Sequence, residues 1–226
     1  AESAIKYFLL GAVSSGFLLY GVALLYGATG STRLEDIGQW AAAQATFSPV
    51  FVVGIALLFV GFGFKVAAAP FHLWTPDVYD GAPLPITAYM SATVKTAAFA
   101  VFARVLVESL AAAAPRWHSS LWWLAVVTMV VGNVFALSQK NLVRMMAYSS
   151  IAHAGYLLVA IIAANDVGKA SLLFYLASYA VTNVAAFGII AMLGSKDSAN
   201  DELRDYAGLA HSHPALAALL TVFLLS

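Results

Sequence analysis

Two lysines lie where a charged side chain is costly. Lys65 stands in the apolar run 61–66, and Lys95 follows Pro85 by ten residues inside another apolar stretch. At 1.5 Å per residue, that spacing places Lys95 roughly 15 Å into a bilayer, about half of its thickness. A charge at that depth costs roughly 3 kcal/mol, so a lysine there usually has a use. An amine deprived of water can be neutral or charged according to the charges around it, which is the property that a proton relay needs.

A structural role is the alternative for both lysines. Each amine would then pair permanently with a carboxylate and only hold helices together. No Asp or Glu of the sequence is expected at matching depth, so such a partner would have to come from elsewhere. We therefore favour a functional interpretation of Lys65 and Lys95.

Other polar side chains repeat at helical spacing, which predicts polar stripes along three helices. The stripes are Thr87, Ser91 and Lys95; Ser149, His153 and Tyr156; and Ser171, Tyr175, Tyr179 and Asn183. Such stripes join helices by hydrogen bonds or line a proton path. His153 is a candidate proton carrier because imidazole changes charge near neutral pH, and a neutral packing histidine is the alternative.

The composition indicates the environment that positions these groups. The 226 residues are 62% hydrophobic and 10% charged, too few charged groups to cover a water-soluble fold. Apolar stretches of membrane-crossing length recur between short polar breaks. We predict an all-α, polytopic transmembrane helix bundle in a single domain over residues 1–226, with spans at about 5–27, 49–71, 84–107, 120–138, 148–164 and 170–194, and a truncated seventh at 215–226.

The second span contains a break. Pro70 follows Lys65 closely, and proline removes a backbone donor and clashes with the preceding turn. Broken membrane helices mark ion or substrate sites in transporters, while a simple kink without function is the alternative.

Several classes of function are excluded or disfavoured. The 11 Lys and Arg balance the 11 Asp and Glu, which disfavours nucleic-acid binding. The absence of cysteine excludes disulfides and Cys-ligated iron–sulfur clusters. The pair His211 and His213 is a weak metal signal, so we assign no metal and no cofactor to this chain.

Lysine and arginine counts in the loops predict the orientation. The side that holds the N-terminus has more of them, which places it in the cytoplasm. We count Lys6, Lys140, Arg144, Lys196 and Arg204 on that side, against Arg33, Arg104, Arg116 and Lys169 on the other.

Four stretches carry a resemblance to a known family. Residues 64–83 read FKVAAAPFHLWTPDVYDGAP and residues 91–95 read SATVK. They resemble the seventh and eighth helices of subunit N of the proton-pumping NADH:quinone oxidoreductases, respiratory complex I. The stretch 141–156, NLVRMMAYSSIAHAGY, resembles the connection from the ninth helix to the tenth in that family, and residues 6–8 resemble the start of its sixth helix. The resemblance covers essentially the whole chain.

The resemblance implies an antiporter-like fold of fourteen helices, in which each of two inverted five-helix repeats contains a broken helix. This partial chain would run from the sixth helix to the start of the twelfth. Lys65 matches the lysine of the first broken helix, Lys95 the lysine of the next helix, and His153 a histidine of the polar axis. The family's glutamate that would pair with Lys65 lies outside residues 1–226.

The implied function is proton translocation as a subunit of the enzyme NADH:quinone oxidoreductase, coupled to quinone reduction elsewhere. NADH, FMN, iron–sulfur clusters and quinone are expected in partner subunits, and the partners are other membrane-arm subunits and the lipid bilayer. The expected location is the bacterial cytoplasmic (inner) membrane. The alternatives are a cation/proton antiporter, a membrane-bound hydrogenase, a ferredoxin-linked complex, or a structural bundle that only bridges its neighbours.

Overall fold

The fold is a bundle of membrane-length helices. The computed structural model describes residues 2–194 and 202–225, so Lys196 lies outside the described residues. Within these ranges no β-strand occurs. Six helical segments are long and apolar enough to cross a membrane: Glu2–Thr29, Pro49–Val66, Leu84–Ser109, Ala111–Leu137, Leu142–Ala163 and Asp166–Leu193. The shorter apolar helix Pro214–Leu225 follows them. The prediction of an all-α bundle with six spans and the start of a seventh is confirmed.

The second span is a broken helix, as the proline predicts. We name Glu2–Thr29 α1, Leu34–Ala42 α2 and Pro49–Val66 α3. Ser48 caps the start of α3 by accepting a hydrogen bond from the Phe51 N–H at 3.3 Å. The helix ends at Val66 because Ala67 adopts a left-handed conformation, with a φ of 60°. Turns over residues 67–74 lead into the short helix α4, Thr75–Gly81. The helical part thus ends five residues before the predicted end at 71.

The third span contains an irregular turn beside its lysine. We name the whole span Leu84–Ser109 α5; residues Met90–Val94 within it form a π-helical turn, and Lys95 is the next residue. A π turn inserts one extra residue and rotates the face of the helix that follows. Such turns are frequent at functional sites, so this turn supports Lys95 as a candidate functional residue.

The last long helices begin at well-defined caps. They are α6, Ala114–Leu137; α7, Leu142–Ala163; and α8, Asp166–Leu193. Asn141 accepts a hydrogen bond from the Arg144 N–H at the start of α7, and Asn165 does the same for the Gly168 N–H in α8. Helix α6 begins earlier than the predicted 120, because Pro115 suits the first turn of a helix. The short helix Leu209–Ser212, named α9, precedes Pro214–Leu225, named α10.

Glycines allow α6 and α7 to pack at close range. A Cβ added at Gly132 would lie 2.4 Å from the backbone nitrogen of Ala152 on α7. A Cβ added at Gly155 would lie 2.9 Å from the backbone nitrogen of Met129 on α6. Small residues at such contacts let membrane helices approach one another through van der Waals packing. This contact fixes the position of α7, which carries two polar residues of the site described below.

Candidate functional site

Lys95 is the centre of a buried polar cluster. Lys95 is 2% exposed. The Nζ atom donates hydrogen bonds to the backbone oxygen of Ser150 at 2.6 Å and to the Ser150 Oγ at 2.5 Å. Ser150 lies on α7, so the lysine links α5 to α7 deep inside the bundle.

A third helix completes the cluster. The Tyr179 hydroxyl on α8 donates to the same Ser150 Oγ at 2.7 Å. The Lys95 Nζ also lies 5.8 Å from the centre of the Tyr179 ring, within the range of a cation–π contact. Within residues 2–194 and 202–225, no Asp or Glu forms an ion pair with Lys95. Dipoles and an aromatic ring therefore hold the amine, without a fixed counter-ion from the described part of the chain.

His153 lies next to this cluster on α7. Its Nδ1 shares a 2.5 Å hydrogen bond with the Tyr175 hydroxyl, and its ring centre is 5.2 Å from that of Tyr179. A cavity of about 20 Å³, room for about one water molecule, is lined by His153, Tyr175, Ser178, Tyr179 and Thr182. The structure therefore brings two of the three predicted site residues, Lys95 and His153, into one polar region.

Lys65 occupies a different position. It lies in the last turn of α3, directly before the break, and is partly exposed. Its Nζ is 5.9 Å from the centre of the adjacent Phe64 ring. Among the described residues it forms no hydrogen bond and no ion pair, so the structure does not join it to the Lys95 cluster.

The break itself contains polar groups that the sequence analysis did not single out. The His72 Nδ1 and the Thr75 Oγ1 are buried without a hydrogen-bond partner in the described ranges. By contrast, the Ala69 N–H donates to Thr128 Oγ1 at 2.9 Å, and the Trp74 indole donates to the Phe64 oxygen at 3.1 Å. The sequence signal for His72 was an ionisable side chain two positions after Pro70, close behind Lys65.

The serine that binds Lys95 was not part of the predicted polar stripe on α7. The stripe consisted of Ser149, His153 and Tyr156, whereas Ser150 is the residue that meets Lys95. Both serines are compatible with His153 on a helix, at spacings of four and three residues. The packing of α5 and α8 against α7 determines which serine meets Lys95. The two adjacent serines in the sequence do not by themselves predict that packing.

A charged cluster lies at the end of the bundle where α1 begins. Asp77, on α4, accepts hydrogen bonds from Lys6 at 2.8 Å and from Arg144 at 2.9 Å. Arg144 also lies 3.5 Å from Asp80, which accepts a hydrogen bond from the Asn141 side chain at 3.0 Å. We call these five residues the Asp77 cluster. The Asp77 cluster attaches the short helix α4 to the N-terminal turns of α1 and α7.

The Asp77 cluster predicts a pH-dependent effect on stability. The hydrogen bond from Lys6 holds the pKa of Asp77 below its usual value; desolvation opposes this, and the bond from Arg144 reinforces it. A lowered carboxyl pKa stabilises the fold above the ordinary value of about 4, and this stabilisation is lost as the pH falls through the folded value. We expect Asp77→Asn to lower the thermal unfolding temperature by a few degrees at pH 7, and by less below about pH 4.

The measurement is thermal unfolding of the purified protein in detergent over that pH range. Asp166→Asn is the control, because Asp166 is fully exposed and lies 3.7 Å from Lys169. Equal losses for both variants at pH 7 would contradict a role for Asp77 in attaching α4.

Comparisons with known proteins agree over the full chain. The family described as "NADH:quinone oxidoreductase/Mrp antiporter, TM" matches residues 1–226. The "NADH-quinone oxidoreductase subunit N" of Gemmatimonas aurantiaca is 70% identical to this chain and is matched over 100% of this chain and 44% of its own length. The protein of the same description from Trichlorobacter lovleyi is 50% identical, matched over 100% and 46%. The chain thus spans about half the length of these curated relatives.

Solved structures share the fold. Respiratory complex I from Thermus thermophilus with bound aureothin contains a chain that is 40% identical, with a TM-score of 0.81 over 100% of this chain and 47% of that one. An archaeal membrane-bound sulfane sulfur reductase is 31% identical, with a TM-score of 0.84 over 99% of this chain and 45% of that one. The Mrp complex from Dietzia sp. DQ12-45-1b has a TM-score of 0.84 at 21% identity, over 98% of this chain and 40% of that one. This last likeness shows the fold alone.

Proposed function

The chain belongs to the NADH:quinone oxidoreductase/Mrp antiporter transmembrane family, as the resemblance indicated, and we propose that it is the central part of a proton-translocating membrane subunit of an NADH:quinone oxidoreductase. The observation that carries the proposal is the buried Lys95 amine, which is bound by dipoles and has no fixed counter-ion among the described residues. A permanently paired lysine would only join helices. An amine held in this way can gain and release a proton.

Lys65 and Lys95 are proposed to act in sequence. Lys65 lies directly before the helix break, and the break contains two buried side-chain atoms, His72 Nδ1 and Thr75 Oγ1, that bound water would satisfy. When a carboxylate near Lys65 moves away or is protonated, Lys65 releases its proton towards Lys95 and onward. At an effective dielectric of about 20, a unit charge 4 Å away is worth about 4 kcal/mol. A change of that size is enough to drive a proton off the amine.

His153 is proposed to continue the path beyond Lys95. The 2.5 Å hydrogen bond to Tyr175 and the small cavity beside Tyr179 support this role. An imidazole that shares a proton with a hydroxyl can accept a proton on one nitrogen and release one from the other.

The wider assembly is also part of the proposal. Electron transfer from NADH to quinone would take place in partner subunits that hold FMN, iron–sulfur clusters and quinone, and this chain would carry no redox centre. Its neighbours would be other membrane-arm subunits in a bacterial inner membrane. The relatives named subunit N support this assignment over a cation/proton antiporter, since the likeness to the Mrp complex supports only a common fold.

Replacing Lys65 by methionine tests the proposal. We expect the proton-to-electron ratio of the assembled oxidoreductase, reconstituted into vesicles, to fall roughly two- to fivefold, less than the full effect of a positioned proton carrier. We expect a smaller loss than for Lys95, because the Lys65 amine makes no hydrogen bond with the buried polar cluster around Lys95. The measurement records NADH oxidation and vesicle acidification in the same sample.

Lys169→Met is the matched control, because Lys169 is exposed at the start of α8. An unchanged ratio in Lys65→Met, at normal assembly, would remove Lys65 from the proton path. An equal loss in both variants would assign the effect to the change in charge rather than to the position.

A further inference from the structure

Ser150 receives more hydrogen bonds than an ordinary helix serine. The residue is 1% exposed, and its Oγ accepts from two donors, the Lys95 Nζ at 2.5 Å and the Tyr179 hydroxyl at 2.7 Å. Its backbone oxygen accepts from the same Lys95 Nζ at 2.6 Å. One residue of α7 therefore supplies both hydrogen-bond acceptors of the buried amine.

The chemistry of a hydroxyl limits how these bonds can be arranged. A serine hydroxyl has two acceptor lone pairs and one hydrogen. Tyr179 occupies one lone pair, because a phenol hydroxyl donates its single hydrogen. One lone pair and one hydrogen of Ser150 then remain, and Lys95 shares them with the Tyr79 side chain, which also hydrogen-bonds Ser150.

These two remaining sites fit the two protonation states of Lys95. A charged ammonium donates to the free lone pair of the Oγ. A neutral amine carries a lone pair of its own, so the Ser150 hydrogen can turn and donate to it. The Lys95 N–H bond to the Ser150 oxygen and the Tyr179 bond persist in both states. Apart from the proton on Lys95, the two arrangements differ only in the orientation of hydroxyl hydrogens.

A carboxylate in the same place would act differently, because it would stabilise the ammonium alone and hold the proton. The groups of the described chain around the amine are Ser150 on α7 and Tyr179 on α8, with His153 next to Tyr179 and with Tyr79 of α4 hydrogen-bonded to Ser150. None of them is an acidic side chain. The site therefore satisfies both forms of the amine.

We propose that Ser150 is the positioning residue for Lys95, and that Tyr179 acts through Ser150 by fixing the orientation of its hydroxyl. This inference rests on the proposed function, since it gives Ser150 a role in the loading and unloading of Lys95. Ser150 itself carries no proton across the membrane in this scheme. Its hydroxyl reorients when the Lys95 amine gains or loses its charge, and so keeps the amine in place.

Ser150→Ala, measured in the assembled, reconstituted oxidoreductase, is the first test. It removes the hydroxyl without adding volume and leaves the backbone acceptor. We expect proton pumping about tenfold slower, because a hydrogen bond to a charged group is lost. Tyr179→Phe should slow pumping by about threefold, the smaller effect of a bond between neutral groups.

Ser150→Thr and Ser150→Val form a matched pair of nearly equal shape that differs in the hydroxyl. We expect threonine to restore pumping and valine to fail, whereas a purely packing role predicts equal behaviour. Ser109→Ala is the control, because Ser109 is equally buried and its Oγ has no partner among the described residues.

The outcomes separate this inference from the proposed function. Normal pumping in Ser150→Ala, with pumping lost in Lys95→Met, overturns the role of Ser150 and leaves the proposed function standing. Normal pumping in both variants overturns both. If threonine and valine both prevent assembly, Ser150→Ala and Tyr179→Phe decide the question.

Discussion

Replacing Lys95 by methionine is expected to abolish proton pumping while the subunit still folds and assembles. Lys95 is 2% exposed and no charged side chain of the described residues pairs with it, so its removal leaves no buried carboxylate without a partner. Methionine fills a similar volume with an unbranched apolar chain. The Ser150 hydroxyl keeps its hydrogen bond from Tyr179.

The size of the effect follows from the role of the amine. A positioned proton donor or acceptor typically accelerates transfer by about 10²- to 10⁴-fold, so we expect vesicle acidification to fall at least about 100-fold. The measurement is the initial rate of acidification per NADH oxidised. Lys140→Met is the control, since Lys140 is exposed at the end of the bundle. Full pumping in a correctly assembled Lys95→Met enzyme would refute the proposed function.

Gly132→Ala is expected to destabilise the bundle strongly. The added methyl group would lie 2.4 Å from the Ala152 backbone nitrogen and 2.7 Å from its Cα, so no side-chain rotation can relieve the contact. Helices α6 and α7 would have to separate. Overpacking of this kind costs about 1–3 kcal/mol, a large part of the stability of a typical domain.

Thermal unfolding in detergent and the yield of assembled complex measure this effect. Gly188→Ala is the matched control, because a Cβ there meets nothing within 4 Å. We expect Gly132→Ala to unfold several degrees lower and Gly188→Ala to match the wild type. Equal unfolding temperatures for Gly132→Ala and Gly188→Ala would show that the interface yields more easily than its geometry implies.

The number of spans and the position of Lys95 within its span were predictable from sequence because both depend on chain-local properties. Apolar runs of about 20 residues identify the spans, and the count from Pro85 places Lys95 in the middle part of one of them. The break after Lys65 was predictable for the same reason, since Pro70 cannot continue a helix. Its starting point was not, because an alanine in the left-handed region, here Ala67, leaves no local sequence signal.

The partners of the site residues depend on contacts between distant segments. Lys95 and Ser150 are 55 residues apart, and Tyr179 is 29 residues beyond Ser150. The choice of Ser150 over Ser149 requires the rotation of α7 against α5, which is fixed by packing along the whole interface. The Asp77 cluster likewise joins Lys6 and Arg144 to α4 across 71 and 67 residues. In the sequence, its charged members could be recognised only as charges in loops or at helix ends.

The attachment of Lys95 to three helices has a mechanical consequence. Its amine comes from α5, both of its acceptors from α7, and the hydroxyl that orients one of them from α8. Hydrogen bonds of 2.5–2.7 Å weaken steeply with length, and few persist as bonds beyond about 3.5 Å. A slide of α7 or α8 against α5 by about 1 Å would stretch these bonds towards that limit and weaken them, so the strength with which the amine is held depends on helix position. A remote event that pushes on α7 or α8 can act on Lys95 without any charge travelling to it.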